Sequence, residues 1–275
     1  MTPISPAVAG SARPAQRRSI PVGTLRGIAG FAVFLGLLEL LPRLGVVNPR
    51  YVPPLTEILG SLLQQATGPA FWIALPQTLQ GWAIGLAIAL VLGILLGVVL
   101  GKFSLVRQIA ASTIEFLRPI PSVALIPLAV LMFGAKPQST LVLVVYASLW
   151  PILLQVIRGI QDVDPVARDT ALSYGLGRVT RILRLDWPSA LPYAMTGFRL
   201  SASVALILEI TGELIIGSPG LGQLIAVAQS SGAVAAMYAL VAVTGLLGLA
   251  MNVFARAAET RMMHWHPSIR RDLGI

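Results

Sequence analysis

Long apolar runs broken by short polar connections organise this chain. Six of them, about 25–42, 79–100, 119–134, 139–157, 192–214 and 235–255, carry few charges and approach the length of a membrane span. A helix needs roughly 20 apolar residues to cross a hydrocarbon layer about 30 Å thick. Inside a bilayer every backbone amide and carbonyl must bond within the protein, so runs of this length predict α-helices. Glu39 interrupts the first run, and Pro119, Pro121 and Pro127 crowd the third. These prolines predict a kinked third span whose freed carbonyls are satisfied by neighbouring helices. Residues 1–24 are rich in Pro, Ala, Ser and Arg without an apolar period, which predicts a disordered tail. Arg17-Arg18 invites comparison with a twin-arginine signal, but Ser19-Ile20-Pro21 continues it poorly and no small-residue cleavage site follows. The first span is therefore read as uncleaved.

Composition sharpens this picture. Of the 275 residues 56% are hydrophobic and only 11% charged, whereas soluble domains are about one quarter charged. The net charge of +9 raises a nucleic-acid reading, but the basic residues sit in the connections between runs, not on one soluble face. Nucleic acid is therefore not an expected partner, and the lipid bilayer is. With the N-terminus inside, sixteen Lys and Arg fall on the cytoplasmic side, three (Arg43, Arg50 and Lys136) fall outside, and Arg199 lies within a span. That bias predicts six spans with both termini in the cytoplasm. The absence of cysteine excludes disulfides, thiol catalysis and cysteine–metal sites.

Along the second span Gly81, Gly85, Gly93, Gly97 and Gly101 recur at multiples of four and share one helix face. Small residues let helix backbones approach closely in lipid, so this face is expected to pack on another helix. Gly97 to Lys102 also suggests a phosphate loop, but only three residues separate Gly97 from Gly101, and Phe103 stands where Ser or Thr is required. No nucleotide-binding or catalytic motif is found, so the chain is not read as an enzyme. No cofactor or metal is expected.

The most charged stretch, residues 158–192, joins the fourth and fifth spans. It holds Arg158, Arg168, Arg178, Arg181 and Arg184 with Asp162, Asp164, Asp169 and Asp186. Asp164-Pro165 is a helix start, with Asp capping free amides and Pro at the first helical position. Gly175 is expected to end that helix in a left-handed turn. A second short helix, about Arg178–Leu185, is expected to stop before Pro188. Val179, Ile182, Leu183 and Leu185 give it an apolar side, and the three arginines a polar one. Such an elbow is either an interfacial hairpin lying on headgroups or a knob fitting a groove on a soluble partner.

At this point a resemblance becomes specific. Asp169-Thr170-Ala171, then Gly175, Leu185, Pro188 and Leu191-Pro192, resemble the EAA loop of bacterial ABC importer permeases. Asp169 and Thr170 depart from that family's usual Glu and Ala; Asp keeps the charge on a shorter arm, and Thr is bulkier. Glu115-Phe116-Leu117-Arg118-Pro119-Ile120-Pro121, Ile126-Pro127, Phe133-Gly134, Thr196-Gly197-Phe198-Arg199-Leu200, Gly212-Glu213-Leu214-Ile215 and Gly220-Leu221-Gly222 are similar to permeases for nitrate, alkanesulfonate, taurine and related oxyanions. Relatives in that subfamily also move pyrimidine precursors of thiamine and other aromatic compounds. The likeness covers about residues 47–257. It implies an all-α polytopic membrane helix bundle of the type I ABC importer fold, in a bacterial plasma membrane. The permease domain would span 25–257, with a coupling loop at 158–192 and a cytoplasmic tail at 258–275. It further implies a second permease copy (a homodimer), a cytoplasmic ABC ATPase dimer and an extracytoplasmic solute-binding protein. Asp164, Arg168, Asp169, Thr170, Ala171, Gly175, Arg178, Arg181 and Ile182 would form the ATPase-coupling surface.

Candidates for the path or its gate are Arg199, Glu209 and Glu213 inside the fifth span, together with Glu115 at the entry to the third. Glu209 and Glu213 share a face at i, i+4. Arg199 and Glu209 are ten residues apart, roughly 15 Å along one helix, so each needs a partner elsewhere. Structural ion pairs between helices are the competing reading. Uncharged candidates for the path are Ser112, Thr140, Ser148, Trp150, Ser201, Ser203 and Thr211. The uncharged stretch 217–232 is either a flexible connector or a short re-entrant helix at about Leu221–Gln229. An intramembrane hydrolase lacks its triad, because the only histidines flank Trp265 in His264-Trp265-His266, which reads as an interface anchor. A self-contained secondary transporter or channel remains the alternative; it predicts inverted repeats with broken helices at matching positions. The third span is broken, and no matching break follows three spans later. A membrane scaffold without transport is a further reading.

Overall fold

A computed structural model describes residues 22–263. Most of the N-terminal tail and the His264-Trp265-His266 segment lie outside the described residues. The chain divides into one unit up to Leu55 and a second from Thr56 onward. In the first unit, helix α1 (Val22–Arg43) is apolar along most of its length. Glu39, the acid that interrupts the first run, pairs with Arg43 one turn later at 2.5 Å. The helix closes through Gly45 at φ +73°, and Asn48 Oδ1 accepts from the Arg50 amide at 3.0 Å in the following turn.

The second unit is a helix bundle without strands among the described residues. Its elements are α2 (Leu55–Thr67), α3 (Pro69–Lys102), α4 (Ser104–Leu117), α5 (Ile126–Phe133), α6 (Pro137–Gln161), α7 (Pro165–Ser173), α8 (Arg178–Arg181), α9 (Trp187–Ile216), α10 (Leu221–Ser230) and α11 (Val234–Met262). Pro69 and Pro137 stand in the first turns of α3 and α6, where a missing N–H costs nothing. Three helices, α3, α6 and α11, are long and apolar enough to cross a membrane. Two bent combinations, Ser104–Leu117 with Ser122–Phe133 and Arg178–Ile216 with Leu221–Ser230, raise the number to five if each is one span. The described helices overrun the apolar runs: α3 begins at Pro69, well before residue 79, and α11 continues to Met262. A helix ends where its capping chemistry changes, not where the hydrocarbon stops.

The third run bends where its prolines predict, but its bounds differ from 119–134: α4 stops at Leu117, a 3₁₀ turn covers Ser122–Leu125, and only the combination Ser104–Leu117 with Ser122–Phe133, bent by 85°, is long and apolar enough to span. The eight residues of α5 reach only about 12 Å. Pro121 has no N–H to offer the carbonyl of Leu117, one turn earlier. That carbonyl instead accepts from the Ile120 amide at 3.1 Å and from the Tyr146 hydroxyl on α6 at 2.5 Å.

The core is a three-helix stack in which α6 lies against both α3 and α9. Its tightest seam is the glycine face of α3. A Cβ added at Gly85, Gly93, Gly97 or Gly101 would come within 2.5–2.8 Å of Val144, Ile152, Val156 or Ile160 on α6. Four β-branched knobs, themselves four or eight residues apart, thus fill four glycine notches. Gly81 continues the face but meets the carboxylate of Glu209 on α9 instead. The α6–α9 seam is also built from small residues. Ala190 and Tyr193 abut Gly159, Gly197 lies on the backbone of Pro151 and Ile152, and Gly212 meets Thr140. Close approach also lets backbone carbonyls accept across helices: Ser201 Oγ donates to Ser148 O at 2.6 Å, and Trp82 Nε1 to Ala202 O at 2.9 Å. The outer faces of α3 and α11 expose Leu95, Val91, Leu246, Leu249, Val253 and Phe254. An apolar surface of that size suits lipid.

Candidate functional site

Two regions carry chemistry: the polar elbow between α6 and α9, and a buried acid cluster at the far end of α9. The elbow starts at Asp162, the residue that closes α6. The hydroxyl of Tyr193 on α9 donates to Asp162, which ties the elbow's root to the next long helix. Asp164 Oδ1 accepts from the Val166 amide at 2.8 Å and caps α7. At the other end the Leu176 amide donates to Ala171 O at 3.0 Å and the Gly175 amide to Leu172 O at 2.9 Å. This pair of bonds with Gly175 at φ +70° is a left-handed C-terminal cap.

The second arm differs from expectation. Only Arg178–Arg181 is an α-helical turn; Ile182–Asp186 widens into a π-turn that runs directly into α9, with Pro188 in the first turn. A helix separated from α9 was expected because Pro188 reads as a stop. The π-turn shifts the hydrogen-bond register just before Pro188, and helical backbone continues through it.

Of the expected coupling residues, Asp164, Asp169, Thr170, Gly175 and Arg178 are exposed; Arg168, Arg181 and Ile182 are half-buried, and Ala171 is buried. Val163 is buried too, and Ala171 lines a recess with Thr180, Arg181 and Leu185 of the second arm. Val166, Leu172, Tyr174, Val179 and Leu183 are between 50% and 82% exposed. Apolar side chains on a charged, solvated elbow are exposed without a partner inside this chain. At the junction with the bundle, the carboxylate of Asp186, 1% exposed, bonds Lys102 at the end of α3. Lys102 and Asp186 were not among the expected site residues. They are 84 residues apart, and no periodic signal links them.

The structure separates the four charged path candidates. Glu115 lines a recess on α4 together with Arg107 and Arg118, away from the others. Arg199 faces Glu259 of α11 at 3.4 Å, which makes it an interhelical ion pair. Glu209 and Glu213 stay together and are buried, 5% and 0% exposed. Glu213 Oε2 accepts from Thr78 Oγ1 at 3.0 Å and from the Gly222 amide at 2.8 Å, while Thr78 Oγ1 accepts from the Leu221 amide at 2.9 Å. The first two amides of α10 are therefore capped by α3 and α9, since Gly220 supplies no side chain. A carboxylate at a helix N-terminus also meets the positive end of its dipole. The stretch 217–232 thus holds a short helix, Leu221–Ser230, buried along one face and pinned at its start. Glu209 opens onto a cleft of about 330 Å³ lined also by Gln77, Gln80, Gln138 and Ser218. Thr140 and Ser218 share a hydrogen bond of 2.8 Å beside it. No group of three or more His, Cys, Asp or Glu placed to hold a metal ion is found among the described residues.

Known proteins share this fold. The fold resembles a chain of the MetNI methionine ABC transporter in inward facing conformations, with a TM-score of 0.60 at 16% identity over 69% of this chain and 96% of that one. An amino acid ABC transporter crystallised with histidines gives a TM-score of 0.59 at 20% identity, over 70% of this chain and 94% of that one. In sequence, the chain is 28% identical over 257 residues to the taurine transport system permease protein TauC of Escherichia coli (strain K12), covering 92% of this chain and 91% of that protein. It is 24% identical over 252 residues to the nitrate import permease protein NrtB of Leptolyngbya laminosa, covering 90% and 88%. Residues 89–264 match the family described as binding-protein-dependent transport system inner membrane component. With a helical bundle, a polar elbow between two of its long helices and this match over more than half its length, the chain belongs to the permease family of the ABC importers.

Proposed function

We propose that two copies of this chain form the translocation path of an ATP-driven importer for a small oxyanion or sulfonate. A cytoplasmic pair of ABC ATPase subunits takes one elbow each, and an extracytoplasmic binding protein delivers the solute to the opposite mouth. The ATPase pair closes on ATP, the elbows move with it, and the path alternates its opening by rigid-body motion. ATP hydrolysis belongs to the partner, because the chain carries no phosphate loop. The observation that carries the reading is the elbow: a helix capped by Asp164, a glycine turn at φ +70° and apolar side chains held out to solvent. Relatives named for taurine and nitrate transport support the solute class.

Gly175→Val tests the docking role. A β-branched residue in the left-handed region is strained by roughly 1–2 kcal/mol or more, so the elbow should lose its shape while the buried bundle persists. Co-purification of the ATPase and solute uptake should both fall at least about tenfold, the ratio that 1.4 kcal/mol represents. Undiminished recovery of the ATPase with normal uptake would refute docking through this elbow.

The same reading counts α1, α3, α4 with α5, α6, α9 and α11 as six crossings with both termini cytoplasmic. The sixteen-to-three distribution of Lys and Arg supports it. Single cysteines placed at positions 136 and 170 of this cysteine-free chain should label from opposite faces of the membrane. Labelling of both from one face rules out the arrangement.

A further inference from the structure

Where the elbow meets the bundle, the structure gathers more positive charge than it neutralises. Lys102 from the end of α3, Arg107 from the first turns of α4, Arg168 from α7 and Arg181 from α8 line one cleft of about 330 Å³, with Ser104 and Gln161 on the same wall. The carboxylate behind it is Asp186, which bonds Lys102 and lies 3.8 Å from Arg168 Nη2, beyond hydrogen-bond reach. Arg107 Nη1 donates to the carbonyls of Leu100 and Gly101 at 3.1 and 3.2 Å and so caps α3. Neither Arg107 nor Arg181 forms an ion pair among the described residues. The buried Nε atoms of Arg168 and Arg181 have no acceptor. Four cations thus face one carboxylate, whose Oδ1 is itself buried without a donor, and two guanidinium N–H groups are removed from water without an acceptor in hydrogen-bond reach. Buried charged donors without acceptors are costly, and their absent partner has a definite chemistry.

We infer that this cleft binds a phosphate-type oxyanion. Several oxygens on one centre satisfy guanidinium forks arriving from different helices, which a single carboxylate cannot do. Such an anion comes from two sources, the headgroup of an anionic phospholipid or free phosphate. The cleft lies at the ends of α3 and α6, where apolar side chains give way to charged ones, the depth at which basic pockets between membrane helices hold lipid headgroups. The occupant bridges α3 and α4 of the bundle to α7 and α8 of the elbow. It therefore stiffens the joint through which elbow motion reaches the long helices, and makes transport depend on the anion.

Thermal unfolding of the full chain, purified in a neutral maltoside detergent, tests this without any ATPase. Inorganic phosphate, short-chain phosphatidylglycerol and zwitterionic phosphatidylcholine of the same chains are titrated separately at constant ionic strength. Phosphatidylglycerol, inorganic phosphate or both should raise Tm by about 3–6 °C at a tenfold excess over Kd. A rise with phosphatidylglycerol alone assigns the site to lipid, and one with phosphate alone to the soluble ion. The rise should vanish in Arg168→Gln/Arg181→Gln and persist in Arg256→Gln. If the double variant does not fold, Arg181→Gln alone, which breaks no ion pair, is read in the same way. An equal rise with phosphatidylcholine, a rise unchanged in the arginine variants, or none with either anion overturns the assignment; the last result leaves the cleft to an acidic surface on a partner protein. Docking through Gly175 is measured separately, so either idea can fail without the other.

Discussion

Replacing Gly93 and Gly97 together by leucine is expected to prevent the bundle from folding. A single Cβ at these positions already comes within 2.8 and 2.7 Å of Ile152 and Val156, and leucine adds three more carbons. Both neighbours are fully buried on α6 and cannot retreat, since the other side of α6 rests on α9. Overpacking a tight core costs about 1–3 kcal/mol per site, so the pair is worth about 2–6 kcal/mol, comparable to the whole stability of many domains. Monodisperse elution after detergent extraction should be lost, and unfolding in graded denaturing detergent should begin earlier. A reciprocal experiment separates packing from general damage. Ile152→Ala/Val156→Ala, combined with the two leucines, moves the bulk from one helix to the other and should recover at least half of the loss. If the leucine variant unfolds with the parent, the close α3–α6 approach is wrong.

The second large effect is expected from Glu213→Ala. This side chain is fully buried and accepts from Thr78 and from the Gly222 amide. Truncation leaves two donors without an acceptor, each about 1–3 kcal/mol, and opens a cavity at the same place. Structure cannot easily close over it, because Gly220 and Gly222 are where added carbons would meet Glu213 and the backbone of α9. The α10 helix should detach at its start. Hydrogen exchange at Leu221 and Gly222 should accelerate at least about a hundredfold, the ratio corresponding to 2.7 kcal/mol, with uptake falling in parallel. Glu213→Gln keeps one acceptor oxygen and should lie between the two. Exchange at Leu221 unchanged in Glu213→Ala would show that α10 is held by apolar contacts alone.

Both predictions concern residues noticed in the linear chain whose partners were invisible there. The spacing of Gly85, Gly93 and Gly97 marks one face of one helix, because helical period is a local property. It does not say that the face meets Val144, Ile152 and Val156, nor that α9 answers from the other side with Ala190, Ala194 and Gly197. Asp164 and Gly175 were legible for the same local reason: a cap and a left-handed turn are settled within a few residues. Pro188 misled because the backbone before it widens into a π-turn, and helical backbone runs on through the proline into α9. The bend of the third run was legible for the same local reason as the cap and the turn, since Pro119 and Pro121 stand at the break; its extent was not, because apolar content measures preference for lipid, and the helical stretch reaches back through the more polar residues of α4.

The linear chain by itself determined the class of the protein: long apolar helices, basic residues gathered in the connections between them, and a capped elbow between two of them. Those features follow from composition and from periods shorter than a dozen residues. Only the tertiary structure decided which charges are structural and which are free to act. Arg199 is answered by Glu259, Glu213 by Thr78 and Gly222, and Lys102 by Asp186, whereas Arg168 and Arg181 keep unmatched donors. Electrostatic and hydrogen-bond energies depend on distance and on the exclusion of water. Neither is defined until helices remote in sequence are brought side by side.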